Sequence, residues 1–141
     1  MFWTIVITSL LLGSMLFFTM IITPSVFSTL NEVNARKFLR KIFPKIYLWC
    51  IILNFLLVIL LLKEFNFKTL LAIFSVVFFI YSRQFLTPKI NYYADLSNRT
   101  IKNNSSESIE KSAKKFKSLH SMSVILFASS FVCMVYILFT L

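Results

Sequence analysis

Four side chains in this 141-residue sequence carry chemistry that packing alone does not require: His120, Arg83, Tyr47 and Asn54. His120 is the only histidine, and it stands at the mouth of an apolar run. An imidazole there could ligate a metal or haem, or pass a proton, since ionisable groups at membrane depth mark functional sites. The plainer reading is an interfacial side chain bonded to a neighbouring helix or a headgroup. One histidine cannot supply both ligands of a bis-histidine haem within one chain, so the plainer reading is preferred. Arg83 closes another apolar run, where it could bind an anionic group or extend its charge to the interface; the second is preferred. Asn54, in the middle of a third run, could line a polar path, although such residues more often hydrogen-bond between helices.

Nothing completes a catalytic set. No Ser-His-Asp constellation, phosphate-binding glycine loop, dinucleotide fingerprint or pair of intramembrane carboxylates occurs. The apolar runs hold no Asp or Glu, which argues against a carboxylate proton pump. Cys50 and Cys133 lie in apolar runs at a spacing that matches no metal motif, so they read as small packing residues. Cys50 with Asn54, or methionines with Cys133, could be soft-metal ligands, but no spacing is diagnostic. The expectation is a protein without enzymatic activity, cofactor or metal.

The elements that must position these residues are long apolar helices. The chain is 58% hydrophobic with a mean hydropathy of +0.82. A soluble fold this small could not bury so much apolar surface. One glycine and three prolines leave few breakers, which favours helices over strands and turns. Charge-poor runs at about 2–23, 46–62, 69–86 and 119–141 are each long enough to cross a bilayer. A cleaved signal peptide is a poor reading of the first run, because a basic start and a small-residue cleavage site are both missing. The sequence therefore predicts an all-α integral membrane four-helix bundle in one domain, with no internal repeat.

Charge orients it. The net charge is +10, but the Lys and Arg lie between apolar runs rather than in a basic domain, so nucleic acid is not the expected partner. Arg36, Lys37, Arg40, Lys41 and Lys45 fill the first connection. Lys89, Arg99, Lys102, Lys111, Lys114, Lys115 and Lys117 fill the third. Both tails lack Lys and Arg, and the second connection has only Lys63 and Lys68 in a tight antiparallel hairpin. The positive-inside rule puts the first and third connections in the cytoplasm, N-out and C-out. Anionic lipid headgroups are the expected neighbours of these loops.

The basic connections themselves predict short cytoplasmic amphipathic helices. Asn31 or Thr29 can cap one over 32–43, with Phe38, Leu39, Ile42 and Phe43 on its apolar face. Pro24 is expected to end the first span, and Pro44 to open the second from its first turn. Pro88 is expected to break or kink the chain after the third span, with a further cytoplasmic helix over Ile90, Tyr93, Ala94 and Ile101. Asn104 with Glu107 resembles a capping box, 103–108 a loop tip. The sequons at Asn98, Asn103 and Asn104 fall in this connection and are expected to be unused. In this arrangement Arg83 and His120 share a membrane level, and could form a polar cluster with Tyr47, Thr87 or Ser121. Ser75 and Ser82 share a face of the third span, and Ala128, Ser129, Ser130 and Cys133 thin the fourth, as at close helix contacts.

Several short motifs occur in a telling order: Phe17-Phe18 followed by Pro24, Phe27 and Leu30; Phe43-Pro44-Lys45-Ile46-Tyr47; Arg83 to Pro88; and Phe116 to Ser123 around His120. This order resembles the transmembrane protein 205-like family and its bacterial relatives, the family of unknown function numbered 4149. The resemblance implies a four-helix membrane protein over almost the whole chain and little about activity. It also implies an asparagine seven residues after the histidine, where this chain has Phe127.

Three functional expectations follow. The first is a protein that acts through lipid or protein contacts, including self-association or a place as a small subunit, in a bacterial inner membrane. The second is an oligomeric transporter or handler of a small molecule or metal, and the third a haem or copper redox protein centred on His120.

Overall fold

The computed structural model describes residues 1–102 and 106–141, and the side chains of 1–63, 65–96 and 110–141. Asn104 with Glu107 and the sequon asparagines therefore fall outside the described residues or side chains. Four helices make up the described chain: α1 (Phe2–Thr29), α2 (Glu32–Leu61), α3 (Phe67–Leu96, its backbone helical on to Lys102) and α4 (Ser106–Thr140). No strand occurs among the described residues. All four helices are long and apolar enough to cross a membrane. Their lipid-exposable faces carry large apolar side chains such as Trp3, Met20, Phe55, Phe74, Ile125 and Val132.

Each helix packs on those next to it in sequence and α1 packs on α4, so the four close into an up-down ring. Two ends result. The tail end carries both termini and the α2–α3 connection. The basic end carries the other two connections. At the tail end, Asn66 caps α3 in a capping box with Thr69: Asn66 Oδ1 accepts from the Lys68 and Thr69 amides at 3.0 and 3.4 Å. Thr69 Oγ1 donates to the Leu61 carbonyl at 3.1 Å, tying the start of α3 to the end of α2. Asn31 caps α2, accepting from the Asn34 amide at 3.0 Å.

Pro24 and Pro44 do not act as the sequence predicts, and Pro88 does not break its helix. Pro44 lies inside α2, and the 32–43 segment is the basic end of that helix rather than a separate one. Helix α1 runs through Pro24 to Thr29, and α3 runs through Pro88. The amphipathic segments are thus extensions of the spans. At about 1.5 Å per residue, 28 to 31 residues exceed the roughly 30 Å hydrocarbon core, so the surplus projects.

The reason Pro24 and Pro88 are tolerated is the same at both sites. Each is preceded by a π-helical stretch, Phe17–Ile22 in α1 and Ser82–Leu86 in α3, and then by a threonine. Thr23 Oγ1 donates to the Phe18 carbonyl at 3.0 Å, and its amide reaches the same atom. Thr87 Oγ1 donates to the Ser82 carbonyl at 2.9 Å, and again its amide joins it. A proline in an α-helix clashes with the carbonyl four residues back and cannot bond to it. The wider turn and the threonine hydroxyl relieve that conflict. The two helical hairpins therefore share one device, Thr-Pro after a π-helical turn, where sequence reading finds no repeat.

The core is asymmetric along the bundle. Leu11, Leu12, Leu53, Leu57, Leu61, Ala72, Met134 and Ile137 fill the tail half, all buried. Toward the basic end Val26, Ala35 and Leu39 form a smaller cluster at the α1–α2 turn. Between these two the helices part.

Candidate functional site

The parting is a cavity of about 770 Å³ at the basic end, lined by all four helices. Helix α1 contributes Phe18, Thr23 and Phe27, and α2 contributes Leu39, Phe43 and Tyr47. From α3 come Thr87, Ile90, Asn91 and Ala94, and from α4 Ala113, Phe116, His120, Ser123, Val124 and Phe127. Its volume falls within the range of small-molecule sites. The two Thr-Pro turns place Thr23 and Thr87 in this wall, so the device that accommodates the prolines also shapes the cavity.

The floor is aromatic. Tyr47, Phe79 and Phe127 form a closed triangle, with ring centroids 6.2, 6.1 and 6.4 Å apart, and Phe43 lies 6.2 Å from Tyr47. Tyr47 is buried, and its hydroxyl is 2.9 Å from Ser123 Oγ on α4. A phenol that buries its ring and satisfies its oxygen fixes both α2 and α4.

The rim is charged and largely self-compensated. Arg40 Nη2 is 2.6 Å from Asp95 Oδ1 and 3.5 Å from the Asn91 carbonyl, which joins α2 to α3 across one wall. Arg36 pairs with Glu32 one turn back at 2.5 Å. Both pairs are substantially exposed, and such bridges contribute little to stability. They do hold two guanidinium groups at the mouth of an apolar cavity, where a ligand's negative charge can compete for them.

The cavity has a side as well as a mouth. Helix α1 packs on α4 through Phe2–Leu16, above the cavity. Lower down, Phe27 of α1 and Val124 of α4 line the cavity and remain 56% and 54% exposed. This part of the apolar wall is therefore largely exposed.

The structure brings together two of the residues singled out from sequence and separates the others. Tyr47 and His120 line the same cavity, Tyr47 at the floor and His120 exposed toward the rim. The His120 ring stacks on Phe116 at 5.9 Å with planes 3° apart. Arg83 does not line it: its Nε donates to the Pro44 carbonyl at 3.3 Å, a tie between α3 and the proline turn of α2. Thr87 is in the wall, whereas Ser121 is not among the lining residues. Asn54 lies fully buried in the bundle beyond the aromatic floor.

Sequence reading missed Ser123, Asn91, Asp95 and Thr23, and named Thr87 as a possible cluster member without its tie to Pro88. The signal for the threonines was present, since Thr-Pro occurs at 23–24 and again at 87–88. Among the described residues no three His, Cys, Asp or Glu side chains gather as a metal would require, and both cysteines are free.

No curated protein and no solved structure matches the chain. A family model described as "Domain of unknown function (DUF4149)" matches residues 6–97. That span takes in Tyr47, Asn54, Arg83 and both Thr-Pro turns, and it ends before His120 and Ser123 on α4. With well over half of its length matched, the chain belongs to the DUF4149 family.

Proposed function

We propose that this protein is a multi-pass membrane protein without enzymatic activity that binds an anionic amphiphile, drawn from the cytoplasmic leaflet into the basic end of the bundle. The observation that carries the reading is the cavity: apolar walls that include the exposed Phe27 and Val124, with Arg36 and Arg40 among its lining. An acyl or other apolar chain would lie against Phe18, Phe27 and Phe127, and the acidic group would meet the guanidinium forks. His120 on the rim adds a second polar contact for a headgroup. The orientation that places this end in the cytoplasm, with both termini outside, follows from the distribution of Lys and Arg. A bacterial inner membrane suits that arrangement.

Binding is preferred to transport because the tail half is filled by Leu11, Leu57, Met134 and Ile137, all fully buried. A transporter would need a second state in which those side chains part. Self-association or a larger assembly would use the apolar outer faces and leave the cavity available.

The test is saturable binding of fluorescently labelled phosphatidylglycerol to the purified protein in detergent. Ala94→Trp, which fills the cavity wall, is expected to abolish it. The matched phosphatidylcholine probe is expected to bind more weakly. Equal binding of both probes to Ala94→Trp and wild type would overturn the reading.

A further inference from the structure

Tyr47 and Ser123 meet across the ring, one on α2 and one on α4. These two helices run in the same direction, and seven residues are two turns of helix. Asn54 is seven residues beyond Tyr47, and Ser130 is seven beyond Ser123. Asn54 and Ser130 therefore face each other across the same diagonal, about 10 Å nearer the tail end. Asparagine lacks the ring with which Tyr47 reaches across that diagonal. Both amide atoms of Asn54 and the Ser130 hydroxyl have no hydrogen-bond partner among the described residues, and both residues are fully buried. A third such group comes from α3. Ser75 stands one turn beyond Phe79, whose ring packs on Tyr47 and Phe127, and its hydroxyl is also buried and without a partner among the described residues.

Three helices thus present unpartnered polar atoms at one level of the bundle. Leaving an amide and two hydroxyls unbonded in an apolar interior is costly, because each group gives up its bonds to water and gains none in return. The apolar runs hold no Asp or Glu, and their one Arg, Arg83, is eight residues from Ser75 toward the basic end and bonded to the Pro44 carbonyl, so a metal cation or an anion finds no counter-charge at this level.

We propose that Asn54, Ser75 and Ser130 form an internal binding site for a single water molecule. Asn54 Nδ2 donates to it, Asn54 Oδ1 accepts from it, and the serine hydroxyls complete the two to four contacts that a buried water takes. The Tyr47, Phe79 and Phe127 rings separate this site from the cavity below. Cys50, one turn below Asn54, and Met134, one turn beyond Ser130, are its oxidisable neighbours, and both are fully buried.

Hydroxyl-radical footprinting by synchrotron radiolysis tests this, because a bound water generates the radical in place. In the wild-type protein in nanodiscs, Met134 and Cys50 are expected to be oxidised at a rate comparable to the part-exposed Met122. In Asn54→Leu that labelling is expected to fall severalfold, with Met122 unchanged. Ser130→Ala, a gentler change, is expected to reduce it as well, which covers a failure of the leucine variant to fold. Absence of Met134 and Cys50 labelling in the wild type would overturn the proposal. So would labelling that is the same in all three proteins, which would report radicals entering from outside.

Discussion

Tyr47 and Ser123 share a hydrogen bond of 2.9 Å between two helices that sit diagonally in the ring, at the level where the packed half of the bundle gives way to the cavity. The ring of Tyr47 closes the core on one side and forms the cavity floor on the other. Its hydroxyl and its ring should therefore be separable by mutation. Tyr47→Phe removes only the bond and is expected to cost about 0.6 kcal/mol, the average for hydrogen bonds between membrane helices. Tyr47→Ala also opens the floor and is expected to cost about 3–5 kcal/mol. Unfolding in mixed micelles by denaturing detergent measures both.

Orientation has its own test. Alkaline phosphatase fused after Leu141 is expected to be active in bacteria, and green fluorescent protein at the same place dark. Fusions placed at Lys63–Lys68 should behave like those at the C-terminus. The opposite pattern would put the basic end outside and remove the anionic leaflet from the proposed function.

The capping box at the tail end predicts a measurable loss. Asn66 satisfies two amides of α3. Asn66→Ala is expected to destabilise by about 1 kcal/mol, and Asn66→Ser to restore most of that. The same unfolding assay reads both.

For the cavity mouth, Arg36→Gln with Arg40→Gln is expected to weaken binding of labelled phosphatidylglycerol by about tenfold, the equivalent of 1.4 kcal/mol, while leaving phosphatidylcholine binding unchanged. Raising the ionic strength should mimic the double variant, because these exposed guanidinium groups are screened by salt. A loss that is equal for both lipids would mean that the arginines hold the wall rather than the headgroup.

The apolar runs alone made four membrane-length helices legible, since a stretch of that length and hydropathy has few other uses. Asn31 as a cap and the tight α2–α3 hairpin were legible for the same local reason. What the prolines do was not. Whether Pro24 ends a helix or sits inside one depends on the turn before it and on Thr23, which a residue-by-residue propensity does not weigh. The candidate site was half legible. Tyr47 and His120 do share a cavity, but Arg83, at a similar depth, turns to the Pro44 carbonyl instead. Depth can be read from position along a span, whereas the direction of a side chain around the helix depends on packing and on any irregular turn upstream.

Those irregular turns have a consequence for how the two odd-numbered helices are oriented. A π-helical turn holds an extra residue, and one residue of an α-helix is about 100° of rotation. The faces of α1 and α3 are thus offset on either side of Phe17–Ile22 and Ser82–Leu86. A helical wheel drawn straight through Pro24 or Pro88 would turn the cavity-facing side chains toward lipid. Each helix is in effect two wheels on one axle set out of phase, and the offset lets a single stretch of chain seal the bundle at one end and line an open chamber at the other.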